Sequence, residues 1–455
     1  MQGRQVVKIG GSNLKNLTSI QQIISVLKLY ETPPVIVLSA FFGVTNDLIS
    51  ILDHSLKDEN KVNELIDAIQ ERKHQTLEHY ISNPIELKKC KAELEKLIQE
   101  LRKYIYGINY IGEIPDFLYD KILSYGERLS ALCISQVLNS NDVPALMLSP
   151  NELGLITNGE LRNASIDFKA SAEKLSIPED TTKVLVVPGF YGFSPEGKVN
   201  LLGRGGTDYA AASIAKLTSA SSLDVWKDVD GFMSVDPKIC NDPQPIKHLS
   251  YGEAAELAYL GAKILHPRTV EPLIDVNIPI RLFNIEGELS LEPLTIVDQN
   301  QSSNIGIKSI TCSDQFAVLK INGPGLGIKA GMLNKISEVL SNAEININAV
   351  ISSHISINML IDKSDLKKAH RSIADMNLAD IHSIECKEDL AVIALVGQGM
   401  MEDLSIITQV FDLLKQNNID AKLSSLGASE VVCYLFVKQN LKDDCIRLIH
   451  QNFFN

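Results

Sequence analysis

Two stretches near the end of this chain repeat one another. Ala317-Val318-Leu319-Lys320-Ile321-Asn322-Gly323-Pro324-Gly325 aligns with Ala391 to Gly399 at an offset of 74 residues, and the same offset brings Leu340 onto Leu414 and Ile345 onto Ile419. A repeat of this length is one supersecondary unit used twice. Each copy reads as strand, glycine loop, helix, strand, strand, helix, a βαββαβ-like unit with an incomplete edge, so a duplicated ferredoxin-like α+β module is expected. Paired modules of this kind bind something on a shared face or hold copies of the chain together. Ligand-dependent regulation is favoured here over assembly alone.

The residues ahead of the repeat follow a different plan. A strand at 5–9 runs into Gly10-Gly11-Ser12 and then into a periodic apolar segment from Leu14 to Leu29. Val35-Ile36-Val37-Leu38 is a continuous apolar run of the kind buried in a parallel sheet. Further strands are expected at 183–187, 223–226 and 278–283, with helices at 126–139, 207–217, 251–261 and 267–275. Strands alternating with helices up to about residue 297 predict an α/β domain with a largely parallel central sheet. In such sheets ligands sit in the loops at the carboxyl ends of the strands. Residues 60–106 read as two long charged helices split by Asn83-Pro84, with Leu87, Leu94, Leu97, Leu101 and Ile105 as a seam. A hairpin packed on its own domain is expected rather than a coiled coil for a partner.

At about 150 residues per domain, 455 residues make two or three domains. With 43 basic against 56 acidic residues the formal charge is −13, which argues against nucleic acid or an anionic membrane as the main partner. Seven cysteines lack metal-ligand spacing, and neither a signal-like start nor a membrane-length apolar run is present, so free thiols and a cytoplasmic location are expected.

Four glycine-bearing loops concentrate polar groups. In Lys8-Ile9-Gly10-Gly11-Ser12 the glycines let backbone N–H groups approach an anion and Lys8 adds an ammonium. Leu202-Gly203-Arg204-Gly205-Gly206-Thr207-Asp208 offers a cation, a hydroxyl and a carboxylate at one helix start, more than capping needs, which favours an anion site. Trp226-Lys227-Asp228-Val229-Asp230-Gly231 is either a turn or a holder of a ribose or its Mg²⁺. Gly261-Ala262-Lys263-Ile264-Leu265-His266-Pro267 closes a helix; Lys263 is able to offset its dipole, and His266 reads as structural. No Walker A pattern, no GxGxxG after the first strand, no HExxH and no zinc spacing occur, so no protein-bound metal is expected. Phosphate handling by glycine loops and lysines is the working expectation.

As an ordered set, these stretches closely resemble aspartate kinases of the amino-acid-kinase superfamily. The matching segments are Lys8 to Ser12, Leu38-Ser39-Ala40, Gly43-Val44-Thr45-Asn46, Ser124-Tyr125-Gly126-Glu127-Arg128-Leu129-Ser130, Leu202 to Asp208, Asp228 to Gly231 and Glu256 to Pro267, followed by two ACT-like modules. The resemblance implies an α/β/α sandwich over 1–297 and ACT modules over 312–386 and 387–455. It implies a monofunctional enzyme that transfers the γ-phosphoryl group of ATP, as Mg-ATP, to the β-carboxylate of L-aspartate, the first step towards lysine, threonine and methionine.

By motif match, Lys8, Ile9, Gly10, Gly11, Lys227, Asp228, Met233, Lys238 and Lys263 would hold the nucleotide. Arg204, Gly205, Gly206, Thr207, Ser39, Thr45 and Glu127 would hold aspartate, Arg204 as a carboxylate clamp and Glu127 on the ammonium. Lys8, Arg204 and Asp208 would form the catalytic set, with Asp208 orienting Lys8 or the substrate. Ser12 and Thr207 exchange hydroxyl types relative to the family. Lys227, Met233 and Lys238 stand where Thr, Tyr and Arg are usual. The modules would sense lysine and/or threonine. Asn348 and His354 replace the acidic residues of the lysine-sensitive branch, and Gly323-Pro324-Gly325 is nearer the threonine-sensitive one. A homo-oligomer is expected from exposed sheet edges. The readings set against this one are a kinase for a related acid such as glutamate and a catalytically inactive amino-acid sensor.

Overall fold

The structure, a computed structural model, describes residues 3–178, 182–261, 264–299, 306–400, 403–425 and 429–454. It divides into two compact units, Met1–Phe232 with Pro245–Ala258 and Lys263–Gln301, and Met233–Gln244 with Tyr259–Ala262 and Ser302–Asn455. Two short segments ahead of residue 297 therefore belong to the second unit.

The first unit contains β1 (Val6–Ile9), α1 (Leu17–Leu27), β2 (Val35–Leu38), α2 (Val44–His54), α3 (Glu59–Tyr80), α4 (Pro84–Ile111), α5 (Asp116–Leu123), α6 (Tyr125–Asn139), β3 (Ala145–Met147), α7 (Pro150–Leu153), α8 (Phe168–Lys174) and β4 (Val184–Pro188). It continues with β5 (Tyr191–Phe193), β6 (Val199–Leu201), α9 (Gly206–Leu217), β7 (Leu223–Lys227), β8 (His248–Ser250), α10 (Tyr251–Tyr259, whose last residue clusters with the second unit), α11 (Pro267–Ile274), β9 (Ile280–Asn284) and β10 (Thr295–Asp298). One eight-stranded sheet has the order β3-β4-β2-β1-β7-β9-β10-β8. Its pairings are parallel except β9 with β10, as the continuous apolar runs lead one to expect. The strands β1 and β2 are buried throughout.

The first helix starts three residues later than its apolar period suggests. Gly11–Asn13 forms a 3₁₀ turn, and the Asn16 side chain accepts the Ser19 N–H at 2.9 Å, which caps the helix at Leu17. The helical hairpin is present but longer than expected. Asn83 caps α4 with Pro84 in its first turn, and Gly112, at φ 82°, ends it. The seam also needs correction: Leu87 and Leu97 are only partly buried, and the packed stripe is Cys90, Leu94, Ile98, Leu101, Ile105 and Ile108. That stripe joins Val62, Ile66, Ile69 and Leu77 of α3 in the core that also holds β1 and β2, so the hairpin packs on its own domain.

A buried polar knot ties the central strands. Asp224 on β7 accepts hydrogen bonds from Tyr30 (2.8 Å), Ser222 (2.7 Å) and both Nε and Nη2 of Arg281 on β9 (2.7 and 2.6 Å), and Trp226 Nε1 donates to the Tyr30 hydroxyl at 3.0 Å. Removing one member of a buried charged pair costs about 3–5 kcal/mol because its partner is left uncompensated. Asp224→Ala is expected to lower stability by about that amount in denaturant titration.

The second unit contains β11 (Ser309–Ser313), β12 (Phe316–Asn322), α12 (Met332–Asn342), β13 (Ala349–Ser352), β14 (Ser356–Asp362), α13 (Leu366–Ala374), β15 (Ser383–Lys387), β16 (Leu390–Val396), α14 (Leu404–Gln416), β17 (Lys422–Ser425), β18 (Val432–Lys438) and α15 (Lys442–Phe453). Its sheets have the orders β13-β14-β12-β15 and β11-β16-β18-β17. Neither copy has the incomplete edge that the repeat suggests. The first is closed by its own β15, and the second by β11, which pairs antiparallel with β16 from Ser309↔Val396 to Ser313↔Val392. The boundary expected at 312 thus cuts a strand, and the first module is inserted within the second. All seven cysteines are free thiols. Among the described residues no helix is long and apolar enough to cross a membrane.

Candidate active site

The carboxyl ends of β1, β2 and β7 carry the Lys8, Ser39 and Lys227 loops, and the Arg204 loop packs against Gly189 just after β4. Lys8 lies on β1 between Val37 of β2 and Val225 of β7 and is 4 % exposed. A lysine in the middle of a buried strand requires a partner, and Asp208 Oδ1 stands 3.1 Å from its Nζ. Among the described residues Oδ1 has no hydrogen-bond partner beyond this ion pair. Asp208 sits in the first turn of α9 and keeps 14 % of its side chain accessible. Burial pushes its carboxyl up, but the ammonium groups of Lys8 and Lys227 outweigh burial and hold it below the usual range. Burial, reinforced by Lys8, brings Lys227 down to about 8 against the opposing pull of Asp208 and Asp228.

The two glycines of the first loop are there for space. A Cβ on Gly10 would lie 3.2 Å from Lys8 Nζ, and one on Gly11 would lie 3.0 Å from the Ala40 carbonyl oxygen. Ile9 holds the loop in place. Its side chain is fully buried in the core, and its carbonyl accepts the Ser39 N–H at 3.2 Å, so it anchors the loop. Asp228, at the end of β7, accepts from Ser12 Oγ at 3.3 Å and pairs with Lys15 at 3.4 Å. Asn13 donates to the Trp226 carbonyl at 2.8 Å, which fastens the glycine turn to β7.

On the other side of Ala40 lies Glu127, in the first turn of α6. The Ala40 N–H donates to its Oε1 at 3.1 Å, while Oε2 is buried with no hydrogen-bond partner among the described residues. Burial pushes this carboxyl up to about 8, opposed by the Ala40 N–H and by Lys73. Ser39 sits half-buried beside Gly11, and Thr45 is half-buried in the first turn of α2 on the same connection. Gly126 leaves room for Ala40, whose Cβ would be 2.9 Å from an added methyl group.

The Arg204 loop is shaped by Gly203 and Gly205, at φ 73° and 71°. A Cβ on Gly205 would fall 2.2 Å from the His266 ring. Gly206 is buried against Phe190, and Thr207 against Gly189. Arg204 itself is exposed, and its charge reaches His266, which burial together with Arg268 and Arg204 holds below its usual value despite Asp208. His266 Nδ1 accepts the Arg268 N–H at 3.3 Å, the structural role expected of it. Lys263 lies outside the described residues. Met233 and Lys238 belong to the second unit, where the Met233 carbonyl accepts from Ser309 at 2.8 Å and the exposed Lys238 gives its N–H to Asp236 at 2.9 Å.

One residue here escaped the sequence reading. Lys73 of α3 is fully buried, and its Nζ lies 2.8 Å from the centroid of the Phe41 ring. The signal was in the spacing. Val62, Ile66, Ile69, Lys73 and Leu77 form one helical stripe, with the lysine in an apolar position.

The arrangement is an electropositive, glycine-lined floor with buried carboxylates, suited to holding phosphoryl oxygens next to an amino-bearing acid. The pattern of the amino acid kinase family matches residues 3–284, more than half of the chain. The chain belongs to the amino acid kinase family. Patterns of ACT domains match residues 311–375 and 393–453.

Relatives of this amino acid kinase include the bifunctional aspartokinase/homoserine dehydrogenase of Haemophilus influenzae, 28% identical over 99% of this chain and 56% of that protein. Another is the chloroplastic aspartokinase 2 of Arabidopsis thaliana, 28% identical over 99% and 84%. The lysine-sensitive aspartokinase 3 of Escherichia coli is 25% identical over 99% of both. The chain spans about half the length, 56%, of the bifunctional relatives from Haemophilus and Buchnera. In fold it is similar to E. coli aspartokinase III solved with aspartate and ADP, at TM-score 0.81, 24% identity and coverage of 99% and 100%. The same protein solved with lysine and aspartate gives TM-score 0.82.

Proposed function

We propose that this chain is an aspartate kinase that moves the γ-phosphoryl group of ATP onto the β-carboxylate of L-aspartate to give 4-phospho-L-aspartate. The observation that carries this reading is the junction at Ala40. Its carbonyl bounds the glycine loop over Lys8, and its N–H fixes Glu127, so a phosphate floor and an ammonium acceptor share one residue. The similar E. coli enzyme, solved with aspartate and ADP, supports it.

Two anions must meet in line, so the protein's task is positioning and charge neutralisation. Lys8, held by Asp208, with the Gly10 and Gly11 amides, steadies the transferring group. Lys227, Asp228 and Lys263 take the nucleotide side. Arg204 clamps a substrate carboxylate with Ser39, Thr45 and Thr207 assisting, and the free oxygen of Glu127 takes the ammonium. A β-carboxylate oxygen attacks the γ-phosphorus as the bond to ADP breaks. The nucleophile is already ionised, so no general base is needed.

Among the described residues no three His, Cys, Asp or Glu side chains come together as a metal site. The lysine and amide donors fit phosphate oxygens, so Mg²⁺ fits as a companion of the triphosphate, where it neutralises charge on the β- and γ-oxygens. The ACT modules sense lysine and/or threonine, and the active species is a homo-oligomer in the cytoplasm.

Hydroxylamine trapping tests the reading. With Mg-ATP, aspartate is expected to yield its hydroxamate, and glutamate at the same concentration little or none. Folded protein that gives a hydroxamate with glutamate alone, or with neither acid, contradicts it.

A further inference from the structure

The reaction as described uses Arg204 as a carboxylate clamp, yet Arg204 is exposed and stands on a loop with a glycine on either side of it. A clamp on such a loop works only if the loop beneath it is held still. No regular element does this, since β6 ends at Leu201 and α9 begins at Gly206. The hold comes from Arg268, in the first turn of α11, a residue to which the reaction gives no part.

The Arg268 guanidinium reaches off its helix and bridges two segments. Nη1 donates to the Leu202 carbonyl and to Asn163 Oδ1 at 3.3 Å, while Nη2 donates to the Ala164 carbonyl at 3.0 Å and to Ser165 Oγ at 3.5 Å. Its Cζ stands 4.0 Å from the centroid of the Tyr209 ring on α9. The Tyr209 hydroxyl in turn accepts the Ile166 N–H at 3.1 Å. Both ends of the glycine loop therefore close on one cation, Leu202 directly and α9 through Tyr209. The glycines fit this support. A Cβ on Gly203 would fall 2.3 Å from Asn163 Oδ1, the atom that Arg268 holds, and His266, which caps the same turn of α11, fills the space beside Gly205.

Two details set this apart from packing. The buried face of α11 is Thr269, Val270, Pro272 and Leu273, and Arg268 is not part of it. Among the described residues its guanidinium has no carboxylate partner, and its four acceptors are all neutral. The positive charge is thus not cancelled. A donor on the Leu202 carbonyl also polarises the peptide whose other end is the Gly203 N–H. The N–H groups of Gly203, Arg204 and Gly205 have no hydrogen-bond partner among the described residues. A cation behind a loop of free N–H groups favours an anion in front of it.

We propose that Arg268 is a positioning residue that acts through the Arg204 loop, holding Leu202 against residues 163–165 so that Arg204 and the N–H groups beside it are preset for the carboxylate of the amino-acid substrate. The proposal rests on the reading of Arg204 as the carboxylate clamp. Lysine would not replace it fully, because an ammonium lacks the planar fork that spans both carbonyls.

The test is a double-mutant cycle on aspartate binding in the full chain, read as KM and by calorimetric titration. Arg268→Gln should raise KM for aspartate about 10- to 100-fold and leave KM for ATP within about twofold, with Arg268→Lys falling between natural protein and Gln. In an Arg204→Ala background the further loss from Arg268→Gln should shrink to about twofold or less, because the clamp it serves is gone. Lost stability alone behaves otherwise. Leu94→Ala, which opens a cavity in the hairpin core, should lower the melting temperature and leave KM for aspartate unchanged. Arg268→Lys keeps the stem and the charge, and it carries the same cycle if Arg268→Gln does not fold. Additive losses in the cycle, or KM values for aspartate and ATP that rise together, overturn the proposal while the clamp reading stands. An Arg204→Ala variant that binds aspartate as the natural protein does removes the clamp reading itself, and the proposal with it.

Discussion

Replacement of Lys8 by methionine is expected to reduce turnover by about 10²–10³-fold, the loss that follows removal of one preorganised charge from a developing transition state, about 2.7–4 kcal/mol. The case for so large an effect lies in its placement. Lys8 is locked on a central strand, 3.1 Å from Asp208 and beneath a glycine whose absent side chain leaves the ammonium open to the loop. A surface lysine would reorganise when phosphate arrives, whereas this one is held in place beforehand. Methionine keeps the stem and the packing, so the unfolding temperature should move much less than the rate. Hydroxamate formation at saturating ATP and aspartate measures the first quantity, and a thermal melt the second. A variant that retains most of its turnover would remove Lys8 from the chemistry.

Glu127→Gln is the second large effect, and it should fall on binding. The amide retains an oxygen for the Ala40 N–H but loses the charge meant for the ammonium. A hydrogen bond to a charged group contributes about 1.5–3 kcal/mol, so KM for aspartate should rise about 10- to 150-fold with a smaller change in kcat. The check is an acceptor that lacks the α-amino group. Natural protein and variant should bind it with similar affinity, because neither has an ammonium to hold. A penalty that persisted for that acceptor would assign Glu127 to packing.

The parts of the fold that were readable in advance share a physical cause. Val35–Leu38 and Val184–Val187 are continuous apolar runs because a parallel strand is buried on both faces, and the helices at 125–139, 206–217 and 267–274 carry their apolar periods locally, the last with its own His266 cap. What escaped was non-local. Ser309–Ser313 alternates Ile310 and Cys312 with polar residues over too short a run to stand out, and it is its pairing with Leu390–Val396 across the inserted module that makes it a strand. The hairpin of β5 and β6 has three residues on each arm, too few to show a period.

The candidate site divides in the same way. Glycines and charges in ordered loops pointed to Lys8, Glu127, Arg204 and Asp208, and the structure places Lys8 with Asp208, and Glu127 against the loop that borders Lys8. Ile9 came from a motif match, and its side chain is buried in the core while its carbonyl anchors the loop. Lys73 went unnoticed because a lone lysine in a charged helix looks solvated until the whole stripe of α3 is counted.

The central claim is that Lys8 and Glu127 serve one transfer between ATP and an amino acid. Phosphorus NMR of the full chain with Mg-ATP and L-aspartate follows that transfer directly. The γ-phosphoryl resonance should give way to an acyl-phosphate resonance, in step with ADP, only when aspartate is present. ADP that accumulates with inorganic phosphate alone from the outset, or no change in the nucleotide spectrum at all, would contradict the account.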